Sequence, residues 1–401
     1  MAEEHAGDFF IPGFMFSGIS VGIKEEKERD LALFYSVTPA TVAGVFTTNR
    51  VKAAPVLLDR MRIRRGRCQA VIANSGIANA CTGKRGMRDA RAMADAMAKA
   101  LQIPRELALV SSTGVIGKFL PIDKILSRIP SLVDNLSSHA LLDAVEAIMT
   151  TDKFPKVKME KRSIGEREIR ICGVAKGAGM IMPHMATMLC FVMTDAAVER
   201  TALQNALSDA QEVTFNRITV DGDTSTNDTV LVLANGMAKN RVISLESPDY
   251  PPFRDLLTTV LDELAKMVIR DGEGATKFIE VRVEGARCEA HAKKVALTVA
   301  NSNLVKTAFF GGDTNWGRIA AAIGRSGVPI NPNTFDILLN HVPVALGGLE
   351  TNGALQEEAA QVLQGNTVRL TIHLHQGSAQ TSIYTCDFST DYVKINAHYR
   401  S

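Results

Sequence analysis

The sequence predicts an α/β protein whose sheets are buried under helices. Helix-spaced and strand-like apolar patterns alternate along the whole chain, with no fixed-period repeat and no low-complexity linker. Two segments, Ile279 to Glu284 and Val368 to Leu374, alternate apolar and polar residues strictly, as strands with one packed and one wet face do. The composition, 46% apolar and 22% charged, is that of an ordinary globular protein.

In chain order, Gln69 to Ala73 reads as the first clear strand. Ala90, Met93, Ala94, Met97, Ala98 and Leu101 repeat at helical spacing, with Asp89 expected as an acid near the helix N-terminus. Leu107 to Ser111 is a strand and Leu141 to Met149 a helix. Glu168 to Val174, Met188 to Thr194 and Thr229 to Ala234 are strands. Leu257, Val260, Leu261, Leu264, Met267 and Val268 form a helical stripe expected to stop near Asp271-Gly272, where glycine takes a left-handed cap. His373 and His375 share a polar face and read as a surface pair rather than metal ligands. The tail, Asp391 to Ser401, intersperses apolar residues and is expected to dock and complete a site.

The 401 residues suffice for two or three domains. A net charge of +2, one Trp and five Tyr give no reason to expect a nucleic-acid partner. Cys68, Cys81, Cys172, Cys190, Cys288 and Cys386 form no close ligand pair, so no metal site is expected. Several lie in apolar runs, which fits free thiols in a reducing cytoplasm. The acidic start Met1 to His5 does not read as a signal peptide, and no apolar run approaches a membrane span.

The most informative segment is Lys176-Gly177-Ala178-Gly179-Met180-Ile181-Met182-Pro183-His184-Met185-Ala186-Thr187, which runs into the strand from Met188. A small residue before threonine at a turn-to-strand junction suits a self-cleaving N-terminal nucleophile. Breaking the Ala186-Thr187 bond would give Thr187 a hydroxyl and a free α-amine of pKa roughly 8, able to serve as its base. An ordinary glycine-rich loop is the alternative. The Walker pattern is excluded, because the lysine precedes the glycines. Ser111 to Gly117 follows a strand, and is either a plain turn or a set of donors for an oxyanion hole. Asn74 to Gly83 either lines a cleft or caps a helix. Thr150-Thr151-Asp152 ends a helix, Glu273 lies between Gly272 and Gly274, and Phe310 to Arg318 holds the lone Trp316.

Together these motifs resemble the ornithine acetyltransferase (glutamate N-acetyltransferase) family of arginine biosynthesis, over nearly the whole chain from about Gly13 to Ser401. They are Asn74-Ser75-Gly76 to Gly83, Ser112 to Gly117, Thr150 to Asp152, Ala175 to Leu189, Asp271 to Lys277, Asn315 to Arg318 and Tyr392 to Ala397. The resemblance implies an αββα sandwich with a C-terminal α/β region. It implies self-cleavage between Ala186 and Thr187 into an α chain, 1–186, and a β chain, 187–401, assembled as two of each. Thr187 is then the nucleophile, Thr113 and Gly114 form the oxyanion hole, and Thr150, Lys176, Thr187, Glu273, Asn396 and Ser401 contact substrate. The implied reaction moves acetyl from N2-acetyl-L-ornithine to L-glutamate. No cofactor is implied, and acetyl-CoA is a candidate second donor. Ala178, His184, Thr314 and His398 depart from the family pattern. Rival readings are a self-cleaving amidase or aminopeptidase with water as acceptor, and a non-catalytic amino-acid-binding protein.

Overall fold

A single long strand organises the larger half of the molecule. The computed structural model describes residues 9–24, 28–182 and 188–398. In chain order this half holds β1 (Phe14–Ile19), β2 (Leu31–Phe46), α1 (Ala54–Arg62), β3 (Arg67–Asn74), α2 (Gly83–Ala100), β4 (Ala108–Ser112), α3 (Ile122–Asp134) and α4 (Leu141–Ile148). It continues with β5 (Lys156–Ile164), β6 (Arg167–Lys176), β7 (Leu189–Thr194), α5 (Arg200–Val213), β8 (Thr229–Ala234) and α6 (Tyr250–Arg270). The strands hydrogen-bond in the order β4-β3-β2-β8-β7-β6-β5, with β1 also on β2. The first part of β2 pairs with β1 and β3, and residues 41–46 pair with β8. Between them the register with β3 shifts between Tyr35 and Ala40. Pro39 lies in that stretch and has no N–H to give the ladder, so the strand breaks step there.

The sheet thus doubles back into two layers. Their inner faces meet in one core, where the Phe34 and Phe191 rings lie 4.8 Å apart. Side chains alternate across each strand. On β7, Leu189, Phe191 and Met193 enter this inner core, while Cys190 and Val192 face the core under α5 and α6. On β3, Val71 and Ala73 point inward, and Ala70 and Ile72 pack under α2 and α3. Helix, sheet, sheet, helix is the αββα sandwich the motifs imply.

Helix α6 illustrates the energetics. Two prolines occupy its first turns, where a missing N–H breaks little. Phe253, Leu257, Val260, Leu261, Leu264 and Val268 form its buried stripe. Each fully buried leucine contributes about 2 kcal/mol relative to exposure.

The remaining chain holds β9 (Phe278–Ala286), α7 (Glu289–Ala300), α8 (Asn303–Phe310), α9 (Trp316–Gly324), β10 (Asp336–Leu339), β11 (Val342–Leu346), β12 (Leu349–Glu350), α10 (Gly353–Val362), β13 (Thr367–His373), β14 (Ala379–Cys386) and α11 (Thr390–His398). Its sheet runs β12-β11-β10-β13-β9-β14, and its core is separate. This is the expected C-terminal α/β region. Cys386 at the end of β14 joins the core under α6, which ties the two halves together.

Four local expectations change. Helix α2 begins at Gly83, so Asp89 is interior and buried rather than at the N-terminus. Helix α6 is capped by Asp271 at φ −93°, and the left-handed residue is Gly274 at φ +70°. His375 lies beyond the end of β13 with φ +51°, its ring 3.8 Å from that of His373 and 2.6 Å from Asp336. The tail docks as a helix, α11, with no fully buried residue. Among the described residues no helix is long and apolar enough to cross a membrane.

Candidate active site

The site forms at one end of the sandwich, where β4 and β6 end and β7 and β8 begin. Beyond β4 the chain turns through Thr113 and Gly114. Gly114 has φ +123°, and a Cβ there would lie 2.3 Å from the Gly76 carbonyl carbon. Only glycine allows this close backbone approach. The neighbouring loop is locked to the turn. Thr113 donates its N–H to Asn74 O, Val115 donates to Gly76 O, and Asn74 Nδ2 donates to Ile77 O at 2.9 Å. Asn227, just before β8, closes the set: its Nδ2 donates to Ala78 O and to Ser112 O, both at 2.7 Å. The Gly114 N–H donates to no acceptor among the described residues.

Lys176 ends β6 with its side chain almost wholly buried, 4% exposed. Its Nζ donates to Thr150 Oγ1 at 2.8 Å and to Thr113 Oγ1 at 3.2 Å, with Asp152 Oδ2 at 4.0 Å. Asp152 accepts from Gly177 N at 2.7 Å, from Thr150 N at 3.0 Å and from Lys156 Nζ at 2.6 Å. Lys156 also pairs with Asp271. Two lysines and two aspartates therefore balance their charges out of water. Burial alone would raise the Asp152 carboxyl, but Lys176 and Lys156 outweigh it and hold it well below the usual carboxylate range. Burial lowers the Lys176 ammonium, against the opposing pull of Asp152.

Glu273 faces Lys176 from beyond α6. It accepts from Asn396 Nδ2 of α11 at 2.8 Å, and its N–H donates to Ala178 O at 2.9 Å. A Cβ on Gly179 would come within 2.4 Å of Glu273 Oε2, so glycine there lets the carboxylate lie across the loop. Asp221 accepts from Met180 N at 2.6 Å and Ile181 N at 2.9 Å. Burial lifts its carboxyl to about 6, despite lowering by the hydrogen bonds from Met180, Asp223 and Ile181. Asp228 is fully buried beside Met188, whose N–H it accepts at 3.1 Å, and burial pushes its carboxyl far up.

Thr113, Gly114, Thr150, Lys176, Glu273 and Asn396 all line one open cavity of about 770 Å³. They come from five separate segments of the chain. Ala186, Thr187 and Ser401 lie outside the described residues. The chain on either side of 183–187 is anchored to the segment before β8: Val220 N donates to Ile181 O, and Thr229 N to Met188 O. Of the loop 74–83, Ala78 alone reaches the cavity. Tyr392, from the tail motif, lines it too, as do Asn227 and Asp221, which no pattern in the sequence marks. Trp316 lies elsewhere, beside the core of the second sheet. Among the described residues no cluster of three or more His, Cys, Asp or Glu is arranged to hold a metal ion.

A family model described as the ArgJ family matches residues 15–401. The arginine biosynthesis bifunctional protein ArgJ of Geobacter sulfurreducens is 50% identical over 391 residues, spanning 98% of this chain and 100% of that protein. The ArgJ protein of Syntrophotalea carbinolica is 51% identical over 392 residues, 98% of this chain and 99% of its own. Among solved structures, a crystal structure of ArgJ from Bacillus halodurans aligns with a TM-score of 0.50 and 46% identity, covering 52% of this chain and 98% of that one. With the family pattern running from residue 15 to the last residue, and relatives matching end to end at half identity, the chain belongs to the ArgJ family.

Proposed function

We propose that this chain is a glutamate N-acetyltransferase of arginine biosynthesis, moving acetyl from N2-acetyl-L-ornithine to L-glutamate through an ester on Thr187. One observation carries the reading. Six residues implicated by sequence, spread from Thr113 to Asn396, converge on a single cavity beside the start of β7. Relatives matching over their whole length carry names in arginine biosynthesis, which supports the same pathway.

Maturation comes first. The Ala186-Thr187 peptide bond is cut, freeing the Thr187 α-amine. The solved ArgJ chain supports this, since 98% of its length corresponds to only 52% of ours. Strand β6 lies before the cut and β7 after it, and the β6–β7 and β2–β8 ladders hold the two pieces together. Two of each piece are proposed to assemble, in the cytoplasm.

In the first half-reaction the α-amine takes the hydroxyl proton as Thr187 Oγ attacks the acetyl carbonyl carbon. The Thr113 hydroxyl and Gly114 N–H receive the oxyanion, each donor accounting for roughly 3 kcal/mol of barrier lowering. The C–N bond then breaks, the proton passes to the departing amine, and ornithine leaves. In the second half-reaction the glutamate amine attacks the ester, loses a proton, and returns the hydroxyl to Thr187. Glu273, Asp221 and Asp223 give the cavity acidic groups for a substrate ammonium. No cofactor takes part, and acetyl-CoA is a second donor candidate for the same ester.

Incubation with acetylornithine alone should add one acetyl mass to the fragment beginning at Thr187 and release one equivalent of ornithine. Glutamate should then clear the adduct as N-acetylglutamate. Acetate as the product would instead indicate a hydrolase, and the absence of any adduct would defeat the ester mechanism.

A further inference from the structure

A second recess lies behind the wall of the first cavity, and the acyl-transfer reading does not use it. This open groove, of about 1240 Å³, runs between the end of β2, the turn after α1 and helix α5. Lys52, Arg60, Arg64 and Arg200 line it, and no aspartate or glutamate does. The whole chain carries a net charge of only +2, so the groove is a local concentration of cations.

The sequence builds this cluster by spacing. Arg60 and Arg64 stand four residues apart across the end of α1 and the turn that follows, and so share a face. Arg62 and Arg65 point elsewhere and pair with Asp95 at 2.6 Å and Glu106 at 3.8 Å. Among the described residues, Lys52, Arg60, Arg64 and Arg200 form no ion pair. Like charges at helical spacing repel, and no acid of the chain offsets them here. Arg200 is seated by a glycine. A Cβ on Gly66, at φ +71°, would lie 2.5 Å from Arg200 Cδ and 3.1 Å from its Nε, so the bare Cα lets the arginine stem lie flat on the turn. Lys52 Nζ donates to Asn49 O and keeps two further N–H groups.

The floor adds a different chemistry. Half-buried Val45, Phe46 and Ile63 line it. Past Thr41, β2 pairs with β8 alone, so its other edge is open. On that edge Val42 N donates to Gly66 O and Gly44 N to Gln204 Oε1 at 3.2 Å. The direction of N–H groups alternates along a strand, so Phe46 N–H faces the same edge, and it donates to no acceptor among the described residues.

A single carboxylate would neutralise one of the four charges and leave the rest facing one another. Guanidinium forks bind phosphate oxygens two at a time, and a flat ring packs well on an aromatic floor. We propose that this groove binds a nucleotide-like ligand with at least two phosphate groups, its phosphates against Arg60, Arg64, Arg200 and Lys52 and its ring over Phe46. The groove also shares a wall with the first cavity. Thr47 lines the groove and donates its Oγ1 to Ser225 O at 2.6 Å, and Ser225 lines the cavity. Two sources carry the required chemistry: the nucleotide end of an acyl-CoA, with its acyl end toward that wall, and a free nucleoside diphosphate. Binding in the groove stands apart from the acyl-transfer reading, and only the thioester source rests on it.

The test is calorimetric titration of the matured enzyme with CoA and with ADP, at low and high salt. At least one should bind, and its affinity should fall as salt rises. Arg64→Gln, and Arg200→Met, which keeps the stem on Gly66, should each weaken that binding roughly 10-fold. Acetylornithine carries no phosphate, so its exchange with glutamate in each variant reports that the protein is folded. Loss of acetyl-CoA-dependent glutamate acetylation in both variants, with that exchange retained, identifies the thioester as the source. Weakened ADP binding with acetyl-CoA-dependent acetylation unchanged or absent identifies the free nucleotide. Wild type that binds neither CoA nor ADP at millimolar concentration would overturn the proposal, as would wild-type affinity in either variant. Wild type that binds them yet forms no acetyl adduct would overturn the acyl-transfer reading and leave the groove standing.

Discussion

Gly114→Ala is the sharpest probe of the turn proposed to present the oxyanion donors. A Cβ at this position would lie 2.3 Å from the Gly76 carbonyl carbon, 2.6 Å from its oxygen and 2.7 Å from Ile77 N. Carbon contacts settle at roughly 3.5 Å or more, so the two backbone segments must part by about 1 Å. Neither can move alone, because Val115 N and Ala78 N bond across the gap to Gly76 O and Val115 O. A φ of +123° adds strain of order 1–3 kcal/mol for any residue with a Cβ. A displacement of about 1 Å in a reacting group costs on the order of 100-fold in rate. We therefore expect kcat to fall about 100-fold, equivalent to about 2.7 kcal/mol at 1.36 kcal/mol per tenfold. KM should change little, since the donors act on charge that forms only in the transition state. Glutamate-dependent ornithine release measures this directly. Gly165→Ala is the control. It also has positive φ, +58°, but its Cβ would meet only the Asp249 side chain at 3.3 Å, in a turn between β5 and β6. It should lose stability and keep kcat. A folded Gly114→Ala enzyme with wild-type kcat would refute the assignment of this turn to the oxyanion.

Prorating 43.3 kDa over 186 and 215 residues, the purified protein should run as fragments of about 20 and 23 kDa, the larger starting Thr-Met-Leu-Cys, and Thr187→Ala should run as one uncut, inactive band; an uncut wild-type band with full activity would remove the nucleophile from the mechanism. Asp221 has its carboxyl raised to about 6 from 3.8, so its contribution to stability is fully present below about pH 4 and is lost as pH rises toward 6, by about 3 kcal/mol; denaturant midpoints of wild type should fall across that window relative to Asp221→Asn, and parallel profiles would contradict this.

Several strands of the sandwich were legible because they are short and almost wholly apolar, unlike the 16-residue β2. Thr229 to Ala234 is a strand over the limits its composition marks, since all six residues are buried and five of them are apolar. Helix α6 was legible for the converse reason: its stripe repeats over five turns and outweighs any single residue. Boundaries fared worse where a polar residue decided them. Asp89 looked like a helix-start acid, yet the helix begins at Gly83, six residues earlier, after Thr82 bonds Asn79. In the site, motif resemblance found Thr113, Gly114, Lys176, Glu273 and Asn396. It did not find Asn227, which reaches Ala78 and Ser112 across 149 and 115 residues. Nor did it find the Lys156–Asp271 pair, 115 residues apart. A polar residue whose partner is that distant leaves no periodic trace. Its role exists only once the sheet has folded back on itself.

The fold also accounts for how a cut chain could keep a working site. The cavity draws Thr113, Gly114, Thr150 and Lys176 from before residue 187, and Asp221, Glu273 and Asn396 from after it. A break between the two sets would scatter them unless something else joined them. Strands β6 and β7 do so in register, with Lys176 opposite Leu189 at the site end and Ile171 opposite Thr194 at the other. Every residue of β7 is buried, so the ladder cannot exchange with solvent without opening two cores. The consequence for chemistry is specific. Lys176, with its two hydroxyls, and Met188, held by Asp228, leave the same sheet at the same edge on adjacent strands. The strand that follows the proposed nucleophile therefore starts at the edge where the proposed oxyanion donors lie. The proposed cut would leave the proposed donors in place, because their positions are set by Asn227, Asp152 and the β4 turn, all of them hydrogen-bonded independently of the 186–187 bond.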